Sequence, residues 1–363
     1  AIAVNQNMTI ALKTDGSLWF WGLLTWGVPN ELNPTPVLDE FGDPITGIQA
    51  ITAGGGHALA LKIDGTMIAW GSNSNGELGD GTTTARTIPV PVVDELDNPV
   101  TDIQAITCGV YHSVALKTDG TVLAWGYNVY GQIGDGDETP EPRLNPVQVV
   151  DAFDDPINDI SAVVAGGYHT IALKNDGTLF AWGFNSQGQL GDGTLTTRYN
   201  PVPVLADVGG DPISCIEAIS AGNQFSLALK ADGALIAWGD NRSYQLGDGT
   251  IIRRTTPVSV LNLALMEIKS VETKGDASYA LKSDGTLLSW GANFYGHLGN
   301  GTTSGRNVPD FVIDTSGDPI KDIQAVSAST DHVLALKIDG TILSWGSNSD
   351  GQLGDGTTTS RYN

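Results

Sequence analysis

The segment AGGYHTIALKNDGTLFAWGFNSQGQLGDGT, residues 165–194, contains the element that organises the whole chain. At its centre Leu173 and Lys174 precede Asp176 and Gly177, and five residues after that glycine stands Trp182-Gly183. The same spacing recurs seven times, with tryptophans at Trp21, Trp70, Trp125, Trp182, Trp238, Trp290 and Trp345, 49 to 57 residues apart. Self-similarity at this period marks one supersecondary unit repeated, and seven copies fit the blade number of a closed ring. The expectation is an all-β chain folded as a single domain over 1–363, a seven-bladed β-propeller of four-stranded antiparallel blades.

Working outward, each unit reads as strands. In the second copy IQAITAG (48–54), HALALK (57–62), TMIAWG (66–71) and PVPVV (89–93) are apolar runs. Asp64-Gly65 joins the middle two as a tight hairpin, its glycine tolerating positive φ. Blades stack face to face, so a central strand needs apolar residues on both sides. Ala60 and its six equivalents stand two residues before the repeat lysines, while Leu59, Leu61, Ile68 and Trp70 are large. A bulky face of one blade is expected against a small-residue face of the next, as dense packing requires.

GSNSNGELGDGTTT (71–84) looks like a phosphate or metal loop, but it returns in five other copies. A site is normally built once, so this loop is expected to be structural, with Asn73 and its equivalents bonding local backbone. His57, His112, His169 and His332 share one slot, which holds Met8, Phe225 and Ala277 in other repeats. They are expected to be buried imidazoles bonded to nearby backbone rather than metal ligands. Connectors such as VLDEFGDPITGI (37–48) and VVDAFDDPINDI (149–160) raise calcium as a candidate cofactor. They lack the alternating acidic spacing of calcium loops, so solvated turns and no cofactor are expected.

Composition sets the outer bounds. Only 16% of the residues are charged, 46 are glycine, and acidic residues outnumber basic ones 41 to 18, for a net charge of −23. Such a field repels nucleic acid and anionic membranes. No apolar run reaches membrane-spanning length, and Cys108 and Cys215 lie at unrelated repeat positions, so free thiols are expected. No nucleophile elbow, zinc-spaced cluster or dinucleotide fingerprint is present, so no catalytic residue is assigned.

The signature of residues 165–194 resembles the regulator of chromosome condensation repeat family, and the resemblance covers all seven copies. It implies the same seven-bladed propeller. Family members include a nucleotide exchange factor for a small nuclear GTPase, a plant UV-B photoreceptor and secreted inhibitors of bacterial β-lactamases. The photoreceptor's Gly-Trp-Arg-His-Thr motif is absent; GGGHA (54–58), GVYHS (109–113) and GGYHT (166–170) stand where it would be sought. The exchange factor's insertions and basic tail are also missing, which leaves a bacterial, exported member as the nearest match.

The function expected is a non-catalytic interaction or scaffold propeller, extracellular or on a cell surface. It would bind a protein partner through one loop face, without nucleic acid and without membrane insertion. The alternatives are an inhibitor that occludes a secreted enzyme, and a glycan-binding or channel-mouth enzyme domain. In a four-strand meander the first and third connections emerge on one side. These carry Tyr111, Tyr168, Tyr127, Tyr130, Phe184, Tyr244, Phe294 and Tyr295, expected to gather there opposite the acidic connectors. The first copy departs from the pattern, with Phe20 in an Ala or Ser slot and no GDGT loop, and Trp26 is expected to be exposed or covered by a partner. TTRYN (196–200) runs on into PVPVL, whereas SRYN (360–363) stops. The seventh blade is therefore expected to have three strands, open to strand addition by a neighbouring segment or molecule, in a piece of a longer chain.

Overall fold

The computed structural model describes residues 1–5, 7–23, 30–207, 209–263 and 266–363. Among them it forms seven antiparallel sheets in chain order, six of four strands and a last one of three. Blade two shows the plan: Ile48–Ala53 innermost, then His57–Lys62, Met67–Gly71 and, outermost, Arg86–Pro91. Blade one runs from Ile2–Val4 to Glu31–Pro36. Blade seven ends with Ile342–Gly346, and Arg361 bridges back to Gly346 as Arg198 does to Gly183 in blade four. The ring therefore closes by packing blade seven on blade one, without an exchanged strand.

The outer strand starts earlier than the sequence suggested, at Arg86 rather than Pro89. Arg86 sits opposite Gly71, and its guanidinium is held by Asp80 at 2.7 Å, which fixes the start of the strand. Pro89 and Pro91 are tolerated because this strand is a sheet edge.

The packing also corrects the expectation of one bulky and one small face. Ala58 and Ala60 pair across the sheet with Trp70 and Ile68, while Leu59 and Leu61 pair with Ala69 and Met67. Each face thus mixes small and large residues. Trp70, Ala58 and Ala60 pack with Met8, Ile10 and Leu18 of blade one, and Leu59, Leu61 and Ala69 pack with Trp125 and Ala115 of blade three. The core is a ring of such interblade clusters.

The glycine of each Trp-Gly pair has φ between 91° and 108°. A Cβ there would come within 2.1–2.6 Å of a carbonyl in the first connection, so the dipeptide is dictated by a close approach of two chain segments. The pinning is visible in the hydrogen bonds, where the residue after the pair donates to that same carbonyl, as Tyr127 N does to Tyr111 O at 2.9 Å. On the opposite side the Asp-Gly hairpins are tied to the acidic connectors, as in Ile63 N to Gly47 O and Thr118 N to Asp102 O.

Candidate functional site

Two slots of the repeat decide what the loop face presents, because the first and third connections are locked together in every blade. In blades three and four they hold Tyr111 with Tyr127 and Tyr168 with Phe184, and in blades five to seven Gln224 with Asp240, Asp276 with Ala292 and Asp331 with Ser347. One scaffold hydrogen bond thus displays an aromatic sector and, further round the ring, an acidic one.

The aromatic sector is contiguous. Tyr111, Tyr127 and Tyr168 lie with ring centroids 6.0–6.2 Å apart. Tyr130 packs edge-on to Tyr168 at 5.6 Å and against Phe184 at 4.7 Å. Burial and the neighbouring phenols push the hydroxyls of Tyr127 and Tyr168 up from their ordinary range. Tyr111 is 40% exposed at the edge of the cluster. The other aromatic candidates do not join it. Tyr244 lies beside Gly305 of blade six, in the left-handed region at φ 68°. Phe294 is exposed, and Tyr295 packs near the His297 ring at 6.5 Å. Trp26 lies outside the described residues. Phe20 is half-buried against the cluster between blades one and two.

The repeat histidines correct another expectation. Their partners are hydroxyls of the next blade, not nearby backbone: His57 Nε2 meets Ser113 Oγ at 2.9 Å, His112 meets Thr170, His169 meets Ser226 and His332 meets Thr9. Burial holds the imidazoles of His57, His112 and His169 down at about 3, so they are neutral. A Cβ on Gly54, Gly109 or Gly166 would strike the ring, which accounts for the glycine three residues ahead of each of these histidines. The sequence signal was a correlation between repeats. A hydroxyl stands one place after the slot in the blade that follows a histidine, whereas Met8 and Ala277 are followed by Ala58 and Val333.

The repeated loop has its own closed network. Asn73 Nδ2 donates to Asp80 Oδ1, Thr82 O and Thr84 O, and Asn73 Oδ1 accepts from Leu78 N. In the connectors the first carboxylate caps its own turn, as Asp39 Oδ1 accepts from Phe41 N and Asp43 N. Among the described residues no group of three or more His, Cys, Asp or Glu side chains is placed to share a metal, and no helix is long and apolar enough to cross a membrane. Cys108 is buried and Cys215 exposed, both free.

Seven such blades form a propeller of the RCC1-like class, and the chain belongs to that family. Residues 1–315 match the RCC1-like domain and residues 323–352 the regulator of chromosome condensation repeat. The chain is 32% identical to the ultraviolet-B receptor UVR8 of Arabidopsis thaliana, over 86% of its own length and 68% of the receptor's. It is 30% identical to the human E3 ubiquitin-protein ligase HERC2, over 88% of this chain but 6% of the ligase. Among solved structures, Prp20p of Saccharomyces cerevisiae, described with its binding to Gsp1p and histones, superposes with a TM-score of 0.78 at 21% identity, covering 97% of this chain and 86% of that one. Human WBSCR16 gives 0.75 at 22%, covering 92% and 83%.

Proposed function

We propose that this chain is a non-catalytic interaction platform that takes a protein partner on the face carrying the first and third connections. The observation that carries the reading is the division of that face into a five-ring aromatic sector and an acidic sector. Half-buried tyrosines supply large contact area at small entropic cost and dominate protein interfaces. Beside them Asp276 and Asp331, on a chain of net charge −23, favour a segment with basic residues next to an apolar anchor. The relatives support the class, since Prp20p binds Gsp1p and histones. An extracellular or cell-surface location remains part of the proposal, as does the scaffold role.

The test is selection of a random peptide library on the purified propeller, followed by alanine substitution. The expected binders pair Lys or Arg with an aromatic or large aliphatic residue. Their capture should be lost in Tyr130→Ala and Tyr168→Ala and kept in Phe294→Ala and Tyr295→Ala, with melting temperature recorded for each. Capture lost only in variants that also melt early would overturn the reading.

A further inference from the structure

At one position of the central channel a single repeat carries a charged residue. The residue that follows the position of Ala53 is Gly54, Gly109, Gly166 and Gly222 in blades two to five, Asn5 in blade one and Ser329 in blade seven. In blade six it is Lys274, the one charged residue of the set. The histidine slot three residues later becomes Ala277 in the same blade. Lys274 lines both the lumen, a cavity of about 250 Å³, and the mouth above it, of about 580 Å³. Its ammonium reaches across the ring to the carbonyls of Ala53 and Cys108, at 3.5 and 3.4 Å. Both contacts are at the long limit for a charged donor.

Two residues on, at the rim of the same mouth, stands Asp276. The other charged groups of the mouth are satisfied: Asp240 is held by Arg242 at 3.0 Å, and the Glu77 carboxylate accepts from Asn75 N and Nδ2. Lys274 and Asp276 make no ion pair and Asp276 accepts no side-chain hydrogen bond, among the described residues. The nearest opposite charges, Glu272 deeper in the lumen for Lys274 and Arg242 for Asp276, form no ion pair with them. The mouth therefore presents one positive and one negative group free of direct salt bridges among the described residues. Ser72, Ser329, Thr330 and Asn223 line it with hydroxyls and an amide, and Tyr111 and Tyr168 form one wall.

We propose that the channel mouth binds a small zwitterion of the amino-acid class, its carboxylate on Lys274 and its ammonium on Asp276. A volume of about 580 Å³ matches small-molecule sites, and convergent polar groups on a largely preformed wall are their usual construction. A ligand bringing both opposite charges compensates two part-buried groups at once, where an ion of either sign compensates only one. Burial pushes the Lys274 ammonium down and the Asp276 carboxyl up from their ordinary values, which is the cost such a ligand would relieve.

The experiment is calorimetric titration of the full chain with glycine, β-alanine and 4-aminobutyrate, with acetate and methylamine as singly charged controls. At least one zwitterion should bind, with both controls weaker by about tenfold or more, the loss of one charge-assisted contact. Asp276→Asn and Lys274→Met should each weaken that zwitterion by a similar factor. A second knock-out, Lys274→Gly, restores the residue found in blades two to five and should fold while failing to bind. Absence of binding by every zwitterion, controls that bind equally well, or unchanged affinity in the restored variant would each overturn the proposal.

Discussion

The indole Nε1 of Trp125 donates to the carbonyl oxygen of Glu77 in the preceding blade, at 2.9 Å. The same oxygen receives Ser113 Oγ at 2.8 Å, and that hydroxyl meets His57 Nε2. Gln132, Gln189, Gln245 and Gln352 play the part of Glu77 for Trp182, Trp238, Trp290 and Trp21, the last closing the ring from blade seven to blade one. The repeated loop is therefore the acceptor half of an interblade clasp.

Trp70 provides the internal comparison. It is as buried as Trp125, but its Nε1 has no hydrogen-bond partner among the described residues. Trp125→Phe and Trp70→Phe leave similar cavities, yet only the first breaks a bond. Urea denaturation should show Trp125→Phe to be the costlier by about 1 kcal/mol. Equal losses would mean that the clasp contributes nothing beyond packing.

The buried histidines set a pH dependence. Their folded pKa values near 3 lie below the ordinary 6.5. The unfolded chain thus binds more protons between those limits, and stability is lost as pH falls through that window. Each contributes up to ~1.4 kcal/mol per pH unit. Glu272, raised to about 7 by burial, acts in the opposite sense and offsets about one histidine above pH ~4.5. The urea midpoint should drop steadily from pH 7 to pH 5. His169→Phe, which copies Phe225 of the same slot, should flatten the slope by one histidine's share; an unchanged slope would place the protons elsewhere.

Much of this was legible in the residues because a propeller repeats its constraints. The Asp-Gly hairpins follow from a pattern within one copy, and the three-stranded last blade from setting the fourth copy beside the seventh. What escaped depends on pairs from different copies. The His57 to Ser113 contact joins residues 56 apart in sequence, and no local rule on imidazoles points to it. Likewise the aromatics of one side were separable only by knowing which slots face the channel; Tyr244, in a glycine's left-handed position, lies beside Gly305 instead. Lys274 was hidden because a single lysine in an acidic chain carries no motif.

Phe20 tests how blade one compensates for its departures. It packs half-buried against the cluster of Met8, Ile10, Ala58 and Trp70, where apolar residues replace the histidine and hydroxyl of other interfaces. Phe20→Ala should destabilise by about 3 kcal/mol, the cost of removing a packed ring. Any gain in stability would show that the interface was overpacked.

The two sectors of the loop face should contribute separably to partner binding. Exposed charges act over a distance that salt shortens, from about 10 Å at 0.1 M to about 3 Å at 1 M, while ring burial is not screened. A selected basic–aromatic peptide should therefore lose affinity across that salt range on the native chain. Tyr130→Ala removes the ring packed on Tyr168 and Phe184 and leaves the acidic sector intact. It should weaken the peptide about tenfold at every salt concentration, the behaviour of an interfacial anchor, with the slope of log Kd against log salt unchanged. A peptide whose affinity ignores salt, or a Tyr130→Ala variant that removes the salt dependence, would show that charge and aromatic contact do not act as two sectors.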